Sequence, residues 1–179
     1  MKNTPPLLTA LLLASLTALH AEDAPTLKAP QHFGVPKPEH AVSNRAFTGI
    51  ASIAVAPKGR LWAVWYAGST PSEDANNYVV LSTSGDNGTT WSEVLTVDPD
   101  GIGPVRSFDP ELWVSPDGRM FLFWAQRRNS IKPEVWCAET TQPDAAQPKW
   151  SKPRRISEGV MMCKPLVLSS GEWGLPISQ

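Results

Sequence analysis

Two stretches of the chain are apolar at nearly every position instead of at every second one: "LWAVWY" (61–66) and "MFLFWA" (120–125). An alternating strand rests one face on a core and shows the other to water. A strand without alternation must be covered on both faces of its sheet. Each stretch follows a tight-turn signal, "PKG" (57–59) or "PDG" (116–118), and each turn joins it to another strand-like segment. The two neighbourhoods match. Aligning "IAVAPKGRLWAVWYAG" (53–68) with "LWVSPDGRMFLFWAQR" (112–127) carries Pro57, Gly59, Arg60 and Trp65 onto Pro116, Gly118, Arg119 and Trp124, each 59 residues on. Trp91-Ser92 recurs as Trp150-Ser151 at the same offset. A third copy opens at "MCKPLVLSSGEWGLPIS" (162–178), with Gly171 at the turn position after a one-residue deletion. Self-similarity at a fixed period marks a repeat architecture.

The first copy contains four strand-like segments, near 50–56, 60–66, 77–83 and 91–97. Four-stranded antiparallel sheets packed face to face around an axis cover both faces of the central strands, so the pattern predicts an all-β chain of the β-propeller type. A β-sandwich fits less well, because it leaves one face of each sheet wet. The expected units are a blade over 50–97, a blade over 109–156 and an incomplete blade over 163–179. About two and a half blades do not close a ring, so the expectation is an N-terminal piece of a longer protein.

Ahead of the repeats, Lys2 and the apolar run Leu7 to Leu19, followed by Ala21, read as an export signal over residues 1–21, with Ala24 as the alternative cleavage point. The run is short of the ~20 residues a membrane span needs. Residues 22–44 carry Pro25, Pro30, Pro36 and Pro38 among charges, which predicts an extended lead-in without a core. The protein is therefore expected outside the cytoplasm. Acidic and basic residues nearly cancel, 17 against 16, so no nucleic-acid or membrane-surface partner is implied. Export permits a disulfide between Cys137 and Cys163, but two buried free thiols are the preferred reading. Their spacing is no metal signature, and no metal or cofactor is expected.

The segment "STSGDNGTTWSE" (82–93) lies between the third and fourth strands. In Ser84-x-Asp86-x-Gly88-x-Thr90-Trp91, Asp86 accepts hydrogen bonds from the backbone ahead of it and Ser84 bonds across the loop. Asn87 and Gly88 take positive φ, and Trp91 opens the outer strand and fills the gap between neighbouring sheets. The aspartate is structural. The second copy, "TTQPDAAQPKWS" (140–151), keeps Trp150 but not the aspartate and glycine.

This motif resembles the Asp-box, or bacterial neuraminidase repeat, and with the preceding strand pair the chain resembles the sialidase superfamily from about residue 45 to its end. The resemblance implies a six-bladed propeller and an exo-acting glycoside hydrolase. It also implies an axial pocket with three arginines for a sugar carboxylate and a loop aspartate as acid/base. A tyrosine nucleophile assisted by a glutamate would lie beyond Gln179. The partner implied is a glycan or oligosaccharide; the oligomeric state is left open. Carried onto this chain, two of the arginine positions fall on Gly49 and Gly68, with Arg45 four residues upstream of the first as a substitute. That departure favours a neutral or differently charged sugar. The acid/base position falls in "STPSEDANN" (69–77), on Asp74 with Glu73 beside it, and pairing two acids can raise the pKa of one.

In "RSFDPELW" (106–113), Arg106, Asp109 and Glu111 stand near the axis, the last two sharing a strand face; a strand-start turn is the structural alternative for Asp109. Arg127, in "AQRRNS" (125–130), and Lys164 complete the substrate-binding candidates. Two rival functions remain at this point: a non-catalytic glycan-binding propeller and a polysaccharide lyase.

Overall fold

The computed structural model describes residues 27–179, so the expected export signal lies outside the described residues. The described chain is all-β with antiparallel pairing; its helical content is two single turns of 3-10 helix, Pro38–His40 and Val42–Asn44. The first repeat forms β2 (Phe47–Val55), β3 (Leu61–Gly68), β4 (Tyr78–Ser84) and β5 (Ser92–Asp98), close to the predicted segments. The second forms β6 (Val105–Val114), β7 (Met120–Arg128), β8 (Glu134–Thr140) and β9 (Arg154–Glu158) as a meander in that order. The turn glycines behave alike in all three copies, although the third has Ser169-Ser170 in place of Pro-x: Gly59, Gly118 and Gly171 have φ of 93°, 81° and 84°. In each turn a backbone N–H four residues before the chain's return pairs back, Ala56 to Arg60, Ser115 to Arg119 and Leu168 to Glu172.

β7 has the two-sided cover its composition demands, whereas β3 is fully buried on one face and half-buried on the other at Leu61, Ala63 and Trp65. Trp62, Val64 and Tyr66 of β3 meet Leu112, Leu122 and Trp124 of the second sheet in one core. The intervening residues of β7, Phe121 and Phe123, join Trp113, Val135 and Met161 in a second core on the opposite face. That face is closed by the last segment of the chain, where Trp173 stands edge-on to Trp113 at 4.8 Å and to Phe121 at 5.4 Å. This segment contains β10 (Val160–Met161), β11 (Leu166–Val167), β12 (Trp173–Gly174) and β13 (Ile177–Ser178), which pair β10 with β13 and β11 with β12. Inner strands of the two repeats touch at equivalent positions: Ser52 Oγ donates to Glu111 Oε2 at 2.8 Å, 59 residues apart.

Four expectations change. Residues 27–44 are not merely an extended lead-in. β1 (His32–Gly34) adds a fifth strand to the first sheet by pairing with β5, and Phe33 stacks on Trp124 at 5.9 Å. Second, this same segment covers the far face of the first sheet at its Tyr78 end, while Ile53 and Val55 at the other end stay exposed. His40 is buried at the Tyr78 end, its Nε2 3.1 Å from Asp98 Oδ2 and its Nδ1 3.1 Å from Thr96 Oγ1. Third, Trp91 does not fill the space between sheets. It is 42% exposed, and its indole folds back over its own turn to donate to the Gly88 carbonyl at 3.1 Å. Trp150 takes the inter-sheet role, edge-on to Trp62 and to Phe33. Fourth, only Cys137 is buried; Cys163 is exposed, and both are free thiols.

The two copies of the outer turn explain their own divergence. In the first, Asp86 Oδ1 accepts from Ser84 Oγ (2.7 Å) and Thr90 N (2.9 Å), and Oδ2 accepts from Thr90 Oγ1 (2.6 Å). Asn87 and Gly88 adopt φ of 58° and 84°, as the motif requires. The second copy faces the first sheet instead of water. Its Pro143 carbonyl accepts from Trp62 Nε1 at 2.7 Å, and Asp144 accepts from Lys58 N at 2.9 Å and, through its carbonyl, from Arg60 Nε at 3.0 Å. Contacts across the interface thus hold a turn that lacks an internal clamp.

Two outcomes follow from this packing. Trp62→Ala removes a fully buried indole and the hydrogen bond it gives to the neighbouring sheet; unfolding in denaturant should report a loss of about 3–5 kcal/mol, and a loss below about 1 kcal/mol would contradict the interface described. The three bonds to Asp86, Thr90's hydroxyl first, lower its pKa to about 2, against ~3.9 in an unfolded chain. The carboxylate therefore favours the folded turn above the unfolded value, and that contribution disappears as pH falls through the folded one. The protection of the Thr90 amide against hydrogen exchange, taken relative to its intrinsic rate at each pH, should fall over that window in the wild type and stay constant there in Asp86→Asn.

Candidate functional site

The loop between β3 and β4 is built around Asn77, which is buried. Its side-chain Oδ1 accepts from Asp74 N at 2.9 Å, its own N–H reaches the Asp74 carbonyl at 3.2 Å, and its carbonyl accepts from Ser107 N at 3.0 Å. The last bond ties the loop to the start of β6. An open cleft of about 270 Å³ results, lined by Glu73, Asp74, Ala75, Pro104, Arg106, Arg127 and Asn129. Four residues singled out from sequence, Glu73, Asp74, Arg106 and Arg127, therefore come together although they lie up to 54 positions apart (127 minus 73).

Glu73 is the hub. Its Oε1 accepts from Tyr66 Oη at 2.6 Å and its Oε2 from Arg106 Nη2 at 3.0 Å. The tyrosine hydroxyl and then the guanidinium hold the Glu73 carboxyl below its usual range. Asp74 is also held low, first by the Thr70 hydroxyl and then by the Asn76 N–H, which meets its Oδ1 at 2.8 Å. Pairing the two acids therefore raises neither: each has its own donors. Arg106 lies over the Phe108 ring, 4.1 Å from the centroid, and its Nε is buried without a partner. Arg127 sits on the cleft wall with its Nε donating to the Asn129 carbonyl at 2.7 Å, in a turn where Asn129 has φ 44°.

Asp109 differs from its neighbours. It occupies a bulge in β6, where two residues between Phe108 and Glu111 face one on β7, and its φ is 43°. A non-glycine residue there carries strain of about 1–3 kcal/mol. Burial raises its pKa, and the Glu73 charge adds to the rise, partly opposed by Arg106. The bulge also ends the simple face-sharing predicted for Asp109 and Glu111. Glu111 is buried between the inner strands, bonded to Ser52, and does not line the cleft; Asp109 lies within charge range of Glu73, behind the residues that form the cleft wall.

Two binding candidates lie elsewhere. Arg45 does not reach the cleft. Its Nη1 and Nη2 bind both Glu93 oxygens at 2.6 Å, its Nε meets Tyr78 Oη at 3.2 Å, and Nη2 also reaches the His40 carbonyl at 2.6 Å. It fastens the 38–45 segment to the far face of the first sheet and does not stand in for a sugar-binding arginine. Lys164 donates to the Ile53 carbonyl at 2.5 Å on the inner strand of the first sheet, away from the cleft lining. Ser84, Asp86, Gly88 and Trp91 belong to the outer turn.

Tyr66 and Asn77 were not read as site residues from sequence. Their signal was the pair of glycines opposite them, since glycine inside a strand marks close approach of another group. A Cβ on Gly49 would lie 2.1 Å from the Tyr66 ring, and one on Gly68 would lie 2.5 Å from Asn77 Nδ2. The space beside both glycines is therefore filled by these side chains.

No family model and no curated protein matches the chain. Among solved structures it is similar to an α-L-arabinanase of Penicillium chrysogenum, determined at high resolution in complex with arabinobiose. The identity is 19%, over 81% of this chain and 44% of that one, with a TM-score of 0.48. The chain thus spans less than half of that protein's length.

Gly49→Ala should push the Tyr66 ring off Glu73, because the ring is buried and the contact is with its rigid body. The expected result is a loss of about 1–3 kcal/mol in stability and a rise in the Glu73 pKa seen by carboxyl NMR. An unmoved Glu73 would show that Tyr66 does not set its charge.

Proposed function

We propose that this cleft, with Asp109 beside its Glu73 wall, is the carbohydrate-processing site of an exported, sialidase-like glycoside hydrolase of the β-propeller type. One observation carries the reading. Asp109 is desolvated and raised, while Glu73 and Asp74, in the same neighbourhood, are held ionised by hydrogen-bond donors. Carboxyl groups whose environments push their pKa values apart supply the acid and the base of glycosidic bond cleavage. Asp109 keeps its proton to higher pH and gives it to the departing glycosidic oxygen. Asp74 takes a proton from the water that attacks the anomeric carbon. The C–O bond breaks as the new one forms, and exchange with solvent restores both carboxyls. Glu73 positions Arg106 and Tyr66, and Arg106 and Arg127 bind the sugar. The filled space at Gly49 and Gly68 supports a neutral sugar over sialic acid, because a carboxylate clamp needs guanidinium forks at fixed points. Lys2 and the apolar run to Leu19 support export.

A second reading, a glycan-binding module without turnover, has its own support: each of the four oxygens of Glu73 and Asp74 already accepts a hydrogen bond. Kinetics separate the two. The full-length protein is assayed on 4-nitrophenyl glycosides and on neutral oligosaccharides. Asp109→Asn should lower kcat about 10²–10⁴-fold, and least for substrates whose leaving group needs no protonation. The wild-type pH profile should fall on the alkaline side as Asp109 loses its proton, above the ordinary carboxylate range. It should fall on the acidic side as Asp74 and Glu73 gain theirs, below that range. Full activity in Asp109→Asn sinks the acid assignment, and sugar binding without turnover in the wild type favours the module.

A further inference from the structure

The open end of the first sheet's far face is an ordered apolar surface. Across β2 and β3, Val55 lies opposite Leu61 and Ile53 opposite Ala63. Ser52 and Ala54 point toward the second sheet, so by the strand period of two Ile53 and Val55 point away from it. They are 54% and 57% exposed. Each of these residues has a counterpart 59 positions on. Across β6 and β7, Val114 lies opposite Met120 and Leu112 opposite Leu122. Leu112, Met120 and Leu122 are fully buried against the first sheet. The same surface is therefore covered in the second repeat and open in the first. Its cover in the second repeat is the opposite face of a sheet of this same repeat, made by Ala54, Ala56, Trp62 and Val64.

The terminal segment exposes a face of that covering type. Its turn bond from Leu168 N to the Glu172 carbonyl matches the bond from Ala56 N to the Arg60 carbonyl. That register puts Leu168 at the position of Ala56, Leu166 at that of Ala54 and Gly174 at that of Trp62. Bulk has moved from the second strand to the inner one: two leucines replace two alanines, and a glycine replaces the tryptophan. Val167 pairs with Trp173, which turns toward the second sheet against Trp113 and Phe121. Leu166 pairs with Gly174 and lies on the other side of the hairpin, 62% exposed. The molecule thus shows both halves of its own internal interface to solvent, one on the first sheet and one on the terminal segment.

We propose that a second copy of this chain docks head to tail on the first sheet, with Leu166 and Leu168 of one copy seated on Ile53, Val55 and Leu61 of the other. The chain already makes this kind of contact twice, first sheet on second and second sheet on terminal segment, and the docking continues that series. Apolar area removed from water drives it, as it drives the internal contacts. The two surfaces differ, so the interface is heterologous, and a copy that has used one surface still offers the other. The inference does not depend on the chemistry of the cleft.

Sedimentation of the full chain over roughly 1–100 μM tests this, and the mean mass should rise with concentration. Ile53→Lys spoils one surface and Leu166→Lys the other, and each should weaken self-association at least about tenfold. Both side chains are exposed, so the unfolding midpoint of each variant in denaturant should match the wild type. Ile53→Thr keeps a β-branched side chain in the strand and should weaken association in the same direction even if lysine disturbs β2. The decisive step is mixing. Ile53→Lys retains a good terminal face and Leu166→Lys a good first-sheet face, so the two variants together should form a one-to-one dimer and nothing larger. A wild type that stays monomeric over the whole range overturns the proposal. So does a Leu166→Lys chain that still associates with itself, which would mean first sheet against first sheet, or a mixture of folded variants that fails to pair.

Discussion

Cover on both faces of the central strands is the constraint on which the molecule depends. β3 and β7 carry large side chains on each side, and an unpaired apolar face of that size is not tolerated in water. The second sheet meets the demand with two hydrophobic cores, one toward the first sheet and one toward the terminal segment. The first sheet meets it differently. One face packs on the second sheet, and across the Tyr78 end of the other lies the chain's own 38–45 segment, fixed by Arg45 to Glu93 and Tyr78 and by His40 to Asp98 and Thr96, which leaves Ile53 and Val55 exposed at the opposite end. A buried arginine with a bidentate carboxylate, and a histidine with both nitrogens engaged, make a polar cover stable because no partner is left unmet.

The same packing places the cleft. Face-to-face sheets bring the end of β3 and its loop beside the start of β6, and the Asn77–Ser107 bond fixes that approach. The chemistry is thus assembled from two repeats, neither of which holds the full set. Tyr66 supplies a hydroxyl from the first sheet and Arg106 a guanidinium from the second, and Glu73 joins them. The bulge at Asp109 adds a carboxyl in a strained backbone position with little solvation. A rigid two-sheet frame can hold such a residue in place where an isolated hairpin would relax it.

The repeats also show how one sequence motif diverges under packing. The Ser84–Trp91 turn faces water and is closed by its own hydrogen bonds. The 140–151 turn faces a neighbouring sheet and is closed by Trp62, Arg60 and Lys58 of that sheet. Loss of the internal aspartate clamp is compatible with the fold wherever an external partner replaces it.

The sequence by itself determined the all-β class, the 59-residue unit, the strand positions within a few residues and the turn glycines. These follow from local rules: tight turns need particular residues, and strand burial is written in the spacing of apolar side chains. It also selected four of the cleft residues, because the ends of second strands, the loops after them and the starts of the next inner strands fall at the same end of successive sheets. Only the tertiary structure decided the fates of Arg45, Lys164 and Glu111, the opposite pKa shifts of Asp109 and its acidic neighbours, and the roles of Tyr66 and Asn77. The reason is physical. A side chain's charge state and availability depend on donors and on burial contributed by residues far away in the chain, and no local pattern encodes which of them arrive.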